Sequence, residues 1–389
     1  MRVLWHSNAP WCGTGYGNQT ALVAPRLAAD GHDVALSANF GLQGASTKWR
    51  GLQVYPMLRD PYGQDALANH SQFHQADWSI MLYDVWAYSG KGFVGWAQRN
   101  NLAAWTPVDH RPVPPAVAGW FHQSGAVPIA MSKFGAEQLA NRGLQPLYAP
   151  HGVDTTVFCP ADDVAESRDL FKIPQDAYVV LMNAANKGHQ MRKGFWQAFA
   201  AFGELARKRS DAVLFMHTSK EGDGVSVDLE AMAGSAGIPE NQIVWIEQYA
   251  YNAGVLGDEA MARLYRASDV LLSPSKGEGF GIPVIEAQAC GRPVIVSNFT
   301  AQPELVRDGW LVEGEPEWDP AQASCSFQPY IESVHAALVE AYDRGRGDSM
   351  KAAMGMVAEY DADHVHAEFW RPIMAELAER MPSTEAVQR

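Results

Sequence analysis

Short apolar segments alternate with longer amphipathic ones along most of the chain, and this alternation limits the possible folds more than any other feature. In the N-terminal half, the predicted strands cover residues 3–6, 34–37, 79–83, 103–107 and 127–131, and the predicted helices cover residues 19–30 and 134–141. Strands that alternate with helices form a parallel sheet with helices on its faces. The first half of the chain therefore predicts a doubly wound α/β domain.

A polar, acidic stretch near residues 150–176 interrupts the alternation, which then starts again. The second set of predicted strands covers residues 178–183, 212–218, 243–246, 270–273 and 293–296. At 389 residues the chain is also longer than one hydrophobic core usually serves. We therefore predict an α/β fold of two doubly wound Rossmann-like domains that face a cleft. The predicted ranges are 1–155, 156–364 and, for a C-terminal helix that crosses back to the first domain, 365–389.

Composition narrows the class of protein. Apolar residues make up 47% of the chain and charged residues 19%, which is typical of a folded globular protein. No apolar run reaches the roughly 18 residues that a membrane span needs, so we expect no transmembrane helix. The four cysteines are widely and irregularly spaced. Such spacing argues against a disulfide framework or a zinc site, and it favours a cytoplasmic location.

The net charge of −14 is unevenly distributed. Residues 1–150 contain ten Lys or Arg and eight Asp or Glu, a balance of +2, so the remainder carries −16, from 20 basic and 36 acidic residues. Eight of the thirteen Trp residues also lie before residue 150. Any polyanionic partner is therefore expected at the first domain.

The most informative stretch is residues 273–298, SPSKGEGFGIPVIEAQACGRPVIVSN, in which a glycine-rich turn joins a strand to a helix. Pro283 stands near the first helical position, where a missing amide costs no hydrogen bond. The glycines allow a ligand to approach the main chain closely. The helix start should direct its unpaired amides outward, at Gly279, Phe280, Gly281 and Ile282. Such a helix start binds anions, for example a pyrophosphate.

Two carboxylates belong to the same stretch, Glu278 in the turn and Glu286 in the helix. Carboxylates that accept hydrogen bonds from vicinal hydroxyls suit a sugar at one end of a ligand and a ribose at the other. Two solvated surface glutamates are the simpler interpretation of either residue alone. That interpretation does not account for the whole stretch, which also contains Ser275, both glycines and Pro283.

Residues 278–295, EGFGIPVIEAQACGRPVI, resemble the EGFGLPVLEAMACGTPVV signature of the family-4 retaining glycosyltransferases with the GT-B fold. Supporting segments occur in the order that the family has, namely HGVDTTVF, DEAMARLYRASDVLLSPS and NFTAQPELVRDGWLVEG. The resemblance implies that Glu278 contacts hydroxyls of the donor sugar and that Glu286 contacts the ribose. It further implies that Phe280 and Gly281 adjoin the phosphate and the sugar ring. The remaining donor-binding residues that we assign in this stretch are Ser275, Gly279 and Ile282.

Members of that family also place an Arg and a Lys on the donor diphosphate, and this chain has NAANKGHQMRKGFWQAF at the corresponding residues 183–199. Lys193 and the following glycine match the family's Lys-Gly pair, whereas the upstream Arg is missing. Lys187 is the nearest substitute, Arg192 is its rival, and His189 adds to the basic cluster. At least one cation is required, because the departing nucleoside diphosphate gains negative charge.

A second glycine-rich segment, CGTGYG at residues 12–17, follows the first predicted strand. An NAD site would also need an acidic residue about 20 residues further on, and the second strand ends in Ser-Ala-Asn at residues 37–39 instead. An NAD-dependent dehydrogenase is therefore disfavoured. In related transferases this loop lies across the cleft from the donor. We assign Gly15 to the donor, and Trp11 and Tyr16 to the acceptor.

Polar residues follow three other predicted strands of the first domain, where an acceptor would bind. Asp84 follows one strand, and Asp109 with His110 follows the next. His110 resembles the family's cleft histidine, which hydrogen-bonds the donor sugar, although a structural histidine is an alternative. Ser132, after the third strand, also fits a helix cap.

The resemblance implies that a sugar moves from a UDP- or GDP-linked donor to an acceptor hydroxyl with its anomeric configuration kept. No obligatory metal or other cofactor is expected, because Lys193 and the helix amides can hold the diphosphate. The acceptor is a glycan, a small molecule or a modified nucleic acid. Three alternatives stay open at this point, namely a noncatalytic sugar-nucleotide binding protein, a GT-B epimerase and a GT-B phosphorylase.

Overall fold

The computed structural model describes residues 1–187, 191–221, 227–347 and 349–381, and its internal contacts divide the chain into two compact units. The first unit comprises Met1–Gly152, Ala321–Ser324 and the segment that begins at Ala362. The second unit comprises Val153–Pro320 and Cys325–Asp361. Within the described ranges, no helix has both the length and the apolar character needed to cross a bilayer.

An eight-stranded sheet forms the centre of the first unit. Its strands are β1 (Arg2–Asn8), β2 (Asp33–Phe40), β3 (Thr47–Trp49), β4 (Leu52–Tyr55), β5 (Trp78–Leu82), β6 (Leu102–Thr106), β7 (Val127–Ala130) and β8 (Leu147–Tyr148). They follow the order β3-β4-β2-β1-β5-β6-β7-β8, in which β3 and β4 are antiparallel and the other pairs are parallel. The winding direction reverses between β1 and β5. Loops after those two strands therefore flank the switch point, where doubly wound sheets bind ligands.

Helices cover both faces of this sheet. They are α1 (Gly15–Ala29), α2 (Gln64–His74), α3 (Lys91–Ala97), α4 (Pro115–Ser124) and α5 (Lys133–Ala140), and a 3₁₀ turn occupies Val85–Tyr88. Part of the core joins buried strand residues such as Leu4 and Met81 to Trp120 and Phe121 of α4. The Ser132 hydroxyl accepts a hydrogen bond from the amide of Gly135 at 3.0 Å and so caps α5. The helix-cap interpretation of Ser132 is confirmed.

The second unit contains a six-stranded parallel sheet. Its strands are β9 (Tyr178–Asn183), β10 (Ala212–His217), β11 (Ile243–Trp245), β12 (Val270–Ser273), β13 (Val294–Ser297) and β14 (Gly309–Val312), and a separate two-stranded sheet follows, β15 (Gly314–Asp319) with β16 (Ser324–Pro329). The order is β11-β10-β9-β12-β13-β14. Counted from β9, this is the 3-2-1-4-5-6 order of a doubly wound dinucleotide-type sheet, with its switch point between β9 and β12.

The helices of the second unit are α6 (Val164–Leu170), α7 (Phe195–Ala206), α8 (Leu229–Ser235), α9 (Gln248–Asn252), α10 (Asp258–Ala267), α11 (Ile282–Ala289), α12 (Gln302–Leu305), α13 (Ile331–Arg344) and α14 (Met350–Tyr360). Aromatic residues of α7, including Phe199 and Phe202, pack on Met182 and Leu214 of the sheet, and Leu338 of α13 joins the same core. Burial of each such side chain contributes roughly 1.5–3 kcal/mol. The predicted α/β fold of two doubly wound Rossmann-like domains is confirmed.

The last described segment packs within the first unit. It contains α15 (Ala362–Val365), a turn of π-helix at His366–Trp370 and α16 (Arg371–Glu379). The Trp370 ring is fully buried and lies edge-on to Trp5 and Trp105, with ring centroids 5.4 and 4.9 Å away. Asp30, at the end of α1, accepts a hydrogen bond from His366 Nε2 at 2.7 Å.

Candidate active site

The glycine-rich turn after β12 ends at the start of α11, as the sequence predicts. Gly281 occupies the capping position with φ of 121°, a conformation that strains any residue with a side chain. The amides of Gly279, Gly281 and Ile282 donate no hydrogen bond to any residue that the structure describes. This helix start therefore combines main-chain donors that have no partner among the described residues with the positive end of the helix dipole.

Glu278 is held in place by the loop after β13. Its amide donates to the Thr300 hydroxyl at 3.0 Å, and its carbonyl accepts from the Ala301 amide at 3.4 Å. Thr300 lies in the NFTAQPELVRDGWLVEG segment, but no sequence pattern predicts its contact with Glu278. These two hydrogen bonds hold the main chain of Glu278 in place without a ligand.

Two cations meet the Glu278 carboxylate. Lys193 Nζ lies 2.6 Å from Oε1, and Arg192 Nη1 lies 3.0 Å from Oε2 and 2.6 Å from the carbonyl oxygen of Gly277. Burial alone would raise the pKa of the Glu278 carboxyl, but Arg192, Lys193 and the Ser275 hydroxyl outweigh it and lower this pKa to about 2. The carboxyl is therefore ionised throughout the physiological pH range and cannot serve as a proton donor.

A close approach of two loops places these cations. The amide of Lys276 donates to the carbonyl of Arg192 at 2.7 Å, which joins the loop after β12 to the loop after β9. Gly194 has φ of 68°, and a Cβ at that position would lie 2.1 Å from the carbonyl oxygen of Pro274. Only glycine fits this turn without displacing the main chain. In the Lys-Gly pair predicted from the sequence, the lysine is thus required for its charge and the glycine for its lack of a side chain.

Glu286 points from α11 toward α10. Its Oε2 accepts a hydrogen bond from the Tyr265 hydroxyl at 2.7 Å, and 7% of the residue surface stays exposed. Burial raises the pKa of the Glu286 carboxyl to about 7, because the Tyr265 hydrogen bond offsets only part of that effect and Asp258 adds to it. Tyr265 was not predicted as a functional residue. Its segment matches the family, but the contact with Glu286 spans 21 residues and leaves no local pattern.

The remaining residues predicted for the donor site differ in their exposure. Ser275 is buried with 1% exposure, and Phe280 is 3% exposed and packs edge-on to Tyr360 at 5.9 Å, so the Phe280 ring lies in the core. Lys187 is exposed, and its side chain makes no ion pair with Glu278 or with any other residue that the structure describes. The structure thus brings Arg192 to Glu278, and not Lys187. His189 lies outside the described residues.

Residues predicted for the acceptor lie at the switch point of the first sheet. The Tyr16 hydroxyl, at the start of α1, donates to Asp84 Oδ2 after β5 at 3.0 Å. Burial raises the pKa of Tyr16 well above its ordinary value, and the nearby carboxylates of Asp84 and Asp109 raise it further. Asp109 Oδ1 lies 2.7 Å from Nδ1 of His110. In the neutral ring this contact places the proton on Nδ1. Tyr16, Asp84 and Asp109, which were predicted for the acceptor, therefore form one cluster with His110, which was predicted to bind the donor sugar.

Two further predicted residues lie in the loop that leads into this cluster. Trp11 is 42% exposed, and its Nε1 donates to the carbonyl of Gly41 at 2.9 Å, which ties the loop after β1 to the loop after β2. Gly15 is exposed and is the first residue of α1. Both residues are exposed and can therefore reach a ligand.

Comparison with known proteins identifies the domain that holds the Lys193–Glu278 pair. The family described as "Glycosyl transferases group 1" matches residues 180–325, a range that also contains Glu286. Residues 180–325 form a group 1 glycosyl transferase domain. This group 1 domain confirms the resemblance to family-4 glycosyltransferases on which the sequence interpretation rests.

Curated relatives of the group 1 domain are longer than the region they share with this chain. D-inositol 3-phosphate glycosyltransferase from Segniliparus rotundus is 30% identical over 225 residues, which are 55% of this chain and 46% of that protein. The chain spans about half the length of the first curated relatives that it matches.

Solved structures extend the likeness beyond the group 1 domain to nearly the whole chain. Sucrose-phosphate synthase from Thermosynechococcus elongatus has a TM-score of 0.73 at 16% identity, over 97% of this chain and 100% of that one. Anabaena HepE in complex with UDP-glucose has a TM-score of 0.67 at 15% identity, over 96% and 100%. At such low identity these likenesses show the fold, which is GT-B.

Two aspartates outside these clusters have structural partners. An Asp-x-Asp sequence occurs at residues 361–363, where Asp361 accepts from the Thr155 hydroxyl at 2.5 Å and Asp363 pairs with Arg26 at 2.8 Å. Among the residues that the structure describes, no group of three or more His, Cys, Asp and Glu side chains is arranged to hold a metal ion.

Proposed function

We propose that this protein is a retaining glycosyltransferase that moves a sugar from a nucleoside diphosphate sugar to an acceptor hydroxyl. The observation that carries the proposal is the convergence of Lys193, Arg192 and Glu278 beside the start of α11. Cations and helix amides suit a diphosphate, and an ionised carboxylate suits sugar hydroxyls. The complex of Anabaena HepE with UDP-glucose supports a donor of this class.

Each donor-site residue has a distinct proposed role. Lys193 and Arg192 bind the diphosphate, and Arg192 takes the place of the Arg that the family has upstream. Their side chains are 23% and 40% exposed, so both can reach a ligand while they contact Glu278. Glu278 accepts from hydroxyls of the sugar, and Glu286 accepts from the ribose. Main-chain groups at Gly281 bind the phosphate, as at other helix starts.

The proposed reaction breaks the bond between the anomeric carbon and the diphosphate oxygen. The acceptor oxygen bonds to that carbon on the same face, and its proton passes to the leaving phosphate. Charge that develops on the leaving group is stabilised by Lys193, Arg192 and the helix amides, which is where preorganised electrostatics contributes most. We propose that these groups suffice without a metal ion.

We place the acceptor at the cluster of Tyr16, Asp84, Asp109 and His110, with Trp11 at its edge. Support comes from its position at the switch point of the first sheet and from its two carboxylates, which suit hydroxyl donors. Free thiols at all four cysteines support a cytoplasmic location.

The test is to incubate the protein with UDP- and GDP-linked sugars and a panel of acceptors, and to measure both release of nucleoside diphosphate and formation of a glycosylated product. D-inositol 3-phosphate belongs in the panel because the relative named above is a D-inositol 3-phosphate glycosyltransferase. Product with a retained anomer is expected. Donor binding without turnover for every acceptor would instead indicate a noncatalytic binding protein. Donor isomerisation would indicate an epimerase, and turnover that requires inorganic phosphate would indicate a phosphorylase.

A further inference from the structure

A chain of hydrogen bonds leads from the sheet of the second unit to Glu286. His217 Nδ1 lies 2.8 Å from Asn183 Oδ1, Asn183 Nδ2 lies 2.8 Å from the Tyr265 hydroxyl, and that hydroxyl lies 2.7 Å from Glu286 Oε2. We call these three residues, His217, Asn183 and Tyr265, the relay. None of them was singled out for a role by the sequence or by the proposed function.

Four elements contribute one residue each to this chain. Asn183 and His217 are the last residues of β9 and β10, and they are paired in the register of the parallel sheet. Tyr265 belongs to α10 and Glu286 to α11. The relay therefore connects Glu286, the proposed ribose-binding residue, to the carboxyl end of the sheet, beside the switch point between β9 and β12.

Every donor in the relay points toward Glu286. An amide oxygen can only accept, so His217 donates to Asn183 from a protonated Nδ1. The Asn183 amide nitrogen can only donate, which leaves the single Tyr265 proton for Glu286. Burial lowers the pKa of His217 to about 4, so this ring is neutral at neutral pH. Hydrogen bonds aligned in one direction polarise and strengthen one another.

The two oxygens of Glu286 have different surroundings. Oε2 is bound from the interior by Tyr265, whereas Oε1 makes no hydrogen bond with any described residue. The other titratable groups near this carboxyl are Asp258 of α10 and Cys290 at the end of α11, and neither is a cation. Orientation and partial charge compensation therefore come from the relay. One oxygen is held from inside, and the other can accept from a ligand.

We infer that His217, Asn183 and Tyr265 are positioning residues for the donor, because they hold the Glu286 carboxylate in the orientation and the charge state that accept the ribose hydroxyls. This inference rests on the proposed function, since it takes Glu286 as the ribose ligand. It adds three residues that touch no substrate and act through Glu286.

The experiment measures the affinity of the whole protein for UDP-glucose and for GDP-mannose by calorimetry between pH 6 and 9. These diphosphate diesters do not themselves change charge across most of that range, so a pH effect reports on the protein. Because burial raises the pKa of Glu286 to about 7, the carboxyl is protonated below that pH and charged above it. Affinity of the wild type should therefore rise with pH, with a midpoint at about 7.

Tyr265→Phe keeps the buried ring and removes two hydrogen bonds, the one that the hydroxyl donates to Glu286 and the one that it accepts from Asn183. It should weaken binding about tenfold at pH 7 and move the midpoint upward by about one pH unit, because the bond lost to Glu286 favoured the charged carboxylate. Asn183→Ala should act in the same direction with a smaller effect. Glu286→Gln should abolish the pH dependence, and Tyr265→Phe should add little in that background.

Tyr342→Phe is the matched control. It also removes a tyrosine hydroxyl that donates to a carboxylate, that of Asp211 at 2.8 Å. Asp211 directly precedes β10, so it lies at the amino end of the strand, opposite the end that holds His217. Affinity and midpoint should be unchanged. If Tyr265→Phe also kept wild-type affinity and midpoint while Glu286→Gln lost affinity, the relay would be refuted and the ribose site retained. If Glu286→Gln had no effect, or if the wild type bound neither donor, the proposed function would fail as well.

Discussion

Lys193 is the residue whose removal should affect turnover more than donor binding. Its interaction with the leaving diphosphate strengthens as charge develops, so the contact is worth more in the transition state than with bound donor. Lys193→Ala should lower kcat by about a hundredfold or more and raise the donor KM less, as for loss of one oxyanion contact. Steady-state kinetics on a variant with normal circular dichroism checks this. A near-normal kcat would place the catalytic centre elsewhere.

Arg192 and Lys187 provide a matched comparison within one loop. Each substitution by Ala removes one positive charge, but Arg192 pairs with Glu278, whereas Lys187 is exposed and does not pair with it. Arg192→Ala should therefore lower kcat by about tenfold or more, and Lys187→Ala should stay within about twofold of wild type. The reverse order would assign the missing family Arg to Lys187.

At the scale of elements, the turn between β9 and α7 should tolerate no side chain at residue 194. Gly194→Ala forces a left-handed conformation and places a Cβ against the Pro274 carbonyl, so it should destabilise the second unit by about 1–3 kcal/mol and reduce turnover. Denaturant unfolding measures the first effect. Gly234→Ala in α8 is the control, because no atom lies within 4 Å of its added Cβ, and it should stabilise slightly. Equal stability of the two variants would contradict the steric account.

Elements with a continuous apolar run could be read from the sequence, and exposed ones could not. The strand predicted at residues 178–183 is β9, Tyr178–Asn183, and the strand predicted at 270–273 is β12, Val270–Ser273. By contrast, β3 and the β15–β16 pair were missed, because the exposed residues of β3 and β15 carry no apolar pattern. In the site, the motif indicated Glu278 and Lys193. No motif indicates the relay, because its members lie between residues 183 and 265 and come together only in the folded second unit.

At the scale of the whole molecule, a net charge of −14 makes the cations around Glu278 the main local attraction for a diphosphate. We expect full turnover in excess chelator, because Lys193, Arg192 and the start of α11 supply the positive potential that a metal ion otherwise provides. Product formation with and without EDTA measures this. Turnover that EDTA abolishes and Mg²⁺ restores would show that the cations do not suffice.

The burial of Tyr265 has a spectroscopic consequence. Its ring is fully buried and its hydroxyl proton lies between two oxygens, so exchange with water should be slow enough for this proton to give a resolved resonance downfield of the amides. The chemical shift of such a proton follows the strength of the hydrogen bond, and a charged acceptor makes the stronger bond. One proton in the interior of the second unit would then report the ionisation of Glu286, and its shift would follow donor occupancy without any label on the ligand.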